Sequence, residues 1–186
     1  MVFVPPTWWI LALTKIAYVL VPIAIGVSII LTGLAKDKVL LILIGIIIIV
    51  AGIGLSDYMA HNTFEVPSVQ EKVITVDDYQ IKPNIQKNDN GFIVVDSADD
   101  LLLVTKDGES FLNEENFWFG KFNTRDIFNQ LKTNGTYKIK YYSWREPFFS
   151  MFPNILSVEE VIDETNATAN NFNKYSGTNA AVGGWW

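Results

Sequence analysis

The chain has 186 residues, 49% of them hydrophobic and 18% charged, with a formal net charge of −6. The apolar residues are concentrated in two blocks before residue 60, which excludes a simple soluble globule, a disordered chain and a collagen-like repeat. Cys is absent and there is one His, so a disulfide framework, a thiolate metal site and a multi-histidine centre are excluded as well.

The first block, IAYVLVPIAIGVSIILTGL (16–34), carries no charge and is long enough to cross a bilayer. Upstream, Pro5 and Pro6 suit a helix start, and Trp8 and Trp9 suit an interface. A helix from Trp8 to Leu34 is about 40 Å long, more than a ~30 Å hydrocarbon core, so it tilts or leaves residues 8–14 among headgroups. Lys15 then snorkels to the surface. Pro22 should kink the helix or loosen a turn. The stretch is too long, and too poor in basic residues before Lys15, for a cleaved signal peptide; a retained anchor is expected.

The second block, VLLILIGIIIIVAGIGL (39–55), follows a four-residue connection, AKDK, which forces an antiparallel hairpin. Gly26 and Gly33 are seven apart, as are Gly45 and Gly52. Each pair lies on one face, and such small residues let helix backbones approach in lipid. The competing reading is that Gly is simply common in membrane helices. Lys36 and Lys38 flank the second helix on one side, and no further basic residue follows until Lys72. The connection is therefore expected inside, with both termini and the C-terminal domain outside a cytoplasmic, virion or envelope membrane. Residues 1–60 hold three Lys and two Asp, a net of +1, so the remainder holds −7. An external acidic domain has no average field for nucleic acid. The triplets Asn134-Gly-Thr and Asn166-Ala-Thr are compatible with that side.

Residues 56–70 read as a linker, with His61 exposed. Period-two alternation follows, the mark of half-buried strands. Strands are expected at 72–82, with Val73 and Thr75 or Ile74 and Val76 facing the core, at 91–97, in a hairpin at 101–113 around Lys106-Asp107-Gly108, at 136–144 and at 154–163. A helix is expected within 123–135, capped by Thr124, buried through Ile127, Phe128 and Leu131, and ended by Asn134-Gly135. Strands, then a short helix, then two more strands fit the plan of a five-stranded OB-like barrel, in which a helix commonly sits between the third and fourth strands; the alternative is a small β-sandwich. The expected organisation is an interfacial segment at 1–15, a transmembrane hairpin at 16–58, a linker at 59–70, an OB-like barrel at 71–163, and a flexible or partner-ordered tail at 164–186.

The run FWFGKFNTRDIFNQLKTNGTYKIKYYSWREPFFSMFPNILSV (117–158) carries Tyr142, Trp144, Arg145, Pro147, Ser150, Met151, Phe152, Pro153 and Asn154, with Lys121, Phe122 and Asn123 upstream. It resembles a family of uncharacterised prokaryotic membrane-associated proteins catalogued as a domain of unknown function. That family's hallmark is Tyr-Gly-Trp-Arg, a Pro, then Ser-Met-Phe-Pro-Asn; here Ser143 stands for the Gly, and Glu146 is polar where an apolar residue is usual. The resemblance implies a shared fold and transfers no activity.

Three Phe, one Trp and one Met crowd residues 144–154. They either close one end of the barrel, dock a partner, or dip into the membrane interface. The candidate interaction residues are Trp144, Arg145, Phe148, Phe149, Phe152, Trp185 and Trp186, and the candidate helix-packing residues are Gly26, Gly33, Gly45 and Gly52. Adjacent carboxylates such as Asp77-Asp78 point to opposite strand faces and make no catalytic dyad. No nucleophile elbow, Gly-rich phosphate loop or zinc signature is present, so no catalytic residue, metal or cofactor is expected. The composition points to a membrane-anchored structural or protein-interaction subunit of a larger membrane, envelope or virus-like assembly. Its expected partners are lipid and other protein subunits or copies of itself, and not nucleic acid. The alternative is a small-molecule-binding or enzymatic ectodomain.

Overall fold

The computed structural model describes residues 3–82 and 100–171. The chain divides into two compact units, Met1–Ser68 with Glu146–Ser150, and Val69–Arg145 with Met151–Trp186.

The first unit is a helical hairpin. Helix α1 runs Trp8–Ala35 and α2 runs Val39–Ala60, joined by a tight turn with Asp37 at φ 48°. Both helices are long and apolar enough to cross a membrane. Their leucines, isoleucines and valines are mostly exposed, as at Leu20, Leu31, Ile47 and Val50.

Glycine brings the two backbones together. A Cβ on Gly26 would stand 2.7 Å from the Gly45 carbonyl oxygen, and one on Gly45 would stand 2.7 Å from that of Gly26. A Cβ on Gly33 would meet the Ile42 nitrogen at 3.0 Å, and one on Gly52 would collide with the Pro22 ring.

Helix α1 passes through Pro22 without a break. Proline has no N–H, so the carbonyl four residues earlier, on Tyr18, loses its helical donor. The Ser56 hydroxyl reaches across from α2 to that carbonyl, and also lies 2.6 Å from its own helix's Gly52 oxygen. A hydroxyl from the neighbouring helix thus satisfies the backbone group that Pro22 orphans. Ser56→Ala should destabilise the hairpin by about 0.6–1.7 kcal/mol. Pro22→Ala should largely cancel that loss by restoring the helical donor. A double-mutant cycle of denaturation in mild detergent checks this; additive effects would contradict the pairing.

The expected linker is mostly helical. After α2 the chain makes a π-helical turn at His61–Glu65 and a short 3-10 turn at Val66–Ser68. His61 is buried rather than exposed, and its Nδ1 lies 2.8 Å from Glu65 Oε2, one turn on. Asn62 Nδ2 donates to the Tyr58 carbonyl at 2.8 Å, so polar side chains extend the helix past its apolar part. Helix α1 likewise starts at Trp8, inside the expected interfacial segment.

The second unit is built on one five-stranded mixed sheet: β1 Gln70–Ile81, β2 Leu101–Thr105, β3 Ser110–Leu112, β4 Thr136–Tyr142 and β5 Asn154–Asp163, with helix α3, Thr124–Gln130, between β3 and β4. Strand β1 pairs with both β2 and β4, and β3 lies parallel to β5, so the order β1-β2-β3-β5-β4 closes on itself. The described strands form one sheet, not the two packed sheets of the sandwich alternative. The strand expected at 91–97 lies outside the described residues.

Strand β1 buries Ile74, Val76 and then Tyr79. A bulge between Val76 and Asp78 supplies the extra residue that breaks the alternation. The core comprises these residues with Leu101, Leu103, Phe111, Tyr137, Ile139 and Ile155, and it is completed by Ile127, Phe128 and Leu131. Thr124 does not cap α3: Asn123 holds the cap position, neither side chain bonds the helix end, and the Thr124 hydroxyl is buried without a hydrogen-bond partner among the described residues. The helix stops at Gln130, before Asn134-Gly135. Asn134 takes the positive φ, 64°, and Gly135 leaves the space that the Tyr137 ring fills.

The first residues beyond β5 are tied to their own domain. Thr168 N donates to the Thr133 carbonyl at 2.8 Å, and Asn170 Nδ2 donates to the Phe128 and Leu131 carbonyls. Glu164 accepts from Lys132 Nζ at 2.6 Å and from the Tyr137 hydroxyl at 2.8 Å. Those two bonds hold the Glu164 carboxyl below its ordinary value. Burial first, and Glu164 second, push the Tyr137 phenol up. A carboxylate with a lowered folded pKa stabilises above its unfolded value, about 4.3, and loses that contribution as pH falls through the folded value. The denaturant midpoint should therefore drop below about pH 4. Glu164→Gln should flatten that part of the profile; an unchanged slope in the variant would contradict this role.

Candidate interaction site

Three residues of the aromatic motif are brought together in a buried polar knot. Lys121, only 4% exposed, donates from Nζ to Asn113 Oδ1 at 2.9 Å, to the Glu114 carbonyl at 2.7 Å and to Asn154 Oδ1 at 3.3 Å. Asn154 also accepts from Glu114 N at 2.9 Å, and it donates to the Glu114 carbonyl and to the Tyr142 hydroxyl. Asn116 Nδ2 donates to the same hydroxyl at 2.8 Å. A buried ammonium is tolerated only when its hydrogen bonds are met, and these three oxygens are among its acceptors. The knot fastens the end of β4, the start of β5 and the loop after β3.

Trp144 is buried, next to Ser143 at φ 69°. That left-handed backbone is where a glycine would be unstrained, and here a serine adopts it. Arg145 is exposed; its Nη1 donates to the Met151 carbonyl at 3.0 Å and its guanidinium lies 4.0 Å from the centre of the Phe152 ring. It closes the loop 145–152 on itself. Trp144, Arg145 and Phe152, with Phe111, Tyr141 and Ser110, line an open cavity of about 390 Å³. Burial pushes the Tyr141 hydroxyl up, so that phenol stays protonated in neutral solution.

Phe148 and Phe149 are 65% and 40% exposed, so they do not close the core. They sit on a 3-10 turn, Pro147–Phe149, that belongs with the hairpin unit. Phe148 stacks on Trp8, ring centres 4.6 Å apart. Trp185 and Trp186 lie outside the described residues. Among the described residues no three His, Asp or Glu are placed to hold a metal ion.

A second aromatic group was not among the candidate interaction residues read from the sequence. Phe117 and Phe122 are 74% and 61% exposed, and Phe117 meets Trp118 edge-on at 5.4 Å. They flank a tight turn, with Gly120 at φ 63° and Asn116 paired to Lys121. The signal was the run FWFGKF, four large apolar residues around a glycine with no strand-like alternation.

A family model described as a protein of unknown function, DUF1523, matches residues 37–178. The chain belongs to the DUF1523 family. The match starts at Asp37 and takes in α2 as well as the β unit, so the DUF1523 likeness is wider than the expected 117–158 and leaves α1 outside. No curated protein and no solved structure matches the chain.

Proposed function

We propose that this DUF1523 protein is a membrane-anchored, non-enzymatic interaction subunit. The hairpin lies in the bilayer, and the β unit is an OB-like barrel on the outer side that docks a protein partner or another copy. The observation that carries this reading is the pair of apolar helices whose side chains face outward along nearly their whole length. Lipid is the solvent that suits such a surface. The closed strand order with a helix between β3 and β4 supports the barrel plan. Exposed Phe117 and Phe122 support docking, since large aromatics are enriched where partners bind. The polar motif residues are consumed in internal hydrogen bonds, which supports a structural reading of the motif over a catalytic one. The acidic β unit disfavours nucleic acid as a partner.

The cavity beside Trp144 supports a second reading, a small-molecule-binding domain, because aromatic walls and a few polar groups converge on it. Trp144→Ala separates the two: lost ligand binding with partners retained favours the pocket.

The orientation rests on Lys36 and Lys38. In intact cells an impermeant thiol reagent should label Asp126→Cys and leave Asp37→Cys unlabelled. The reverse pattern would put the β unit inside.

A further inference from the structure

We infer that the turn Pro147–Phe149 is a third membrane contact, a short aromatic wedge seated in the headgroup–acyl boundary beside the start of α1. This rests on the reading of α1 and α2 as membrane-spanning. Helix α1 has 28 residues. At ~1.5 Å each they cover about 42 Å, close to the 40–45 Å of a bilayer with its headgroups. One end of such a helix, marked by Trp8 and Trp9, stands at the interface, where amphipathic aromatic rings collect.

The turn adds to that belt. Phe148 stacks on Trp8 with the ring planes 25° apart, and Phe149 stands edge-on to Phe148 at 5.0 Å. Trp8 and Trp9 are 46% and 51% exposed, so the rings leave an apolar surface open. Leu13 and Ile16, four and seven residues past Trp9 and so on its face of α1, are exposed as well. Continuity with a lipid-facing helix selects lipid as the occupant over a second copy or a protein groove. The backbone is prepared for a region poor in water. Pro147 has no N–H, Phe148 N donates to Glu146 Oε1 at 3.2 Å, and Ser150 N donates to the Pro147 carbonyl at 3.1 Å.

The natural chain has no Cys, so single labels are unambiguous. Phe149→Cys and Pro147→Cys, each carrying a nitroxide, are placed in the full chain in phosphatidylcholine vesicles. Reference labels stand at Ile46→Cys in α2 and at Lys106→Cys in the β2–β3 turn. Collision with dissolved oxygen reports lipid, and collision with a water-soluble nickel chelate reports water. The ratio of oxygen to nickel collisions at 147 and 149 should be severalfold that at 106 and approach that at 46. A ratio at 149 equal to that at 106, with 46 still lipid-like, overturns the wedge and leaves the membrane hairpin standing. Low access to both reagents at 149 also overturns it, because protein then covers the turn. A water-like ratio at 46 overturns the hairpin reading itself.

Discussion

Leucine at Gly45 should drive the two helices apart. The Gly45 Cβ position is 2.7 Å from the Gly26 carbonyl oxygen and 3.1 Å from the Ile30 nitrogen. Backbone cannot yield as a side-chain tip can, so a four-carbon side chain there must separate α1 from α2. Overpacking of this kind costs about 1–3 kcal/mol. Gly54 supplies the control, because a Cβ there meets nothing within 4 Å. Gly54→Leu should leave the hairpin intact, or strengthen it slightly through helix propensity. The two variants differ in position alone, and denaturation of the full chain in mild detergent compares them. Equal midpoints would mean that glycine packing does not hold the hairpin.

The second large effect belongs to the β unit. Phe128 is fully buried, its ring 4.8 Å from that of Tyr79, and the Arg125 guanidinium lies over it at 5.6 Å. Phe128→Ala should cost about 3–5 kcal/mol, from lost apolar transfer and the cavity left behind. Phe148→Ala with Phe149→Ala should leave the denaturant midpoint of the β unit nearly unchanged, since neither ring is in its core. Near-ultraviolet circular dichroism of the full chain reads both. A destabilised double variant would show that the aromatic turn does structural work in that unit.

The contrast between these phenylalanines shows where sequence reading stops. Ile127, Phe128 and Leu131 are legible because helical spacing puts them on one face, and all three are buried. Residues 144–154 have no period, so composition left core, docking and lipid contact open. The bulge in β1 has a similar effect on a smaller scale: alternation left Val73 with Thr75, or Ile74 with Val76, as the core row, the structure buries the second pair, and the bulge then shifts the pattern before Tyr79.

The polar knot was out of reach for a different reason. Lys121, Asn113, Tyr142 and Asn154 meet only after β3, β4 and β5 have come together, and nothing local marks a lysine for burial. The helical turns at 61–68 were hidden by their polarity, which reads as linker until the His61–Glu65 and Asn62–Tyr58 contacts are in place. Ser56 carried a usable signal: a hydroxyl on one apolar helix suits a proline on the other. Pairing them required the hairpin register that Gly26 and Gly45 set.

Alkaline carbonate extraction of membranes tests the central claim most directly. It compares the full chain with a chain that begins at Val69. The full chain should stay in the membrane pellet, and the shorter one should be released folded into the supernatant. Release of the full chain by carbonate would contradict a bilayer-spanning hairpin, and with it the account of this protein as membrane-anchored.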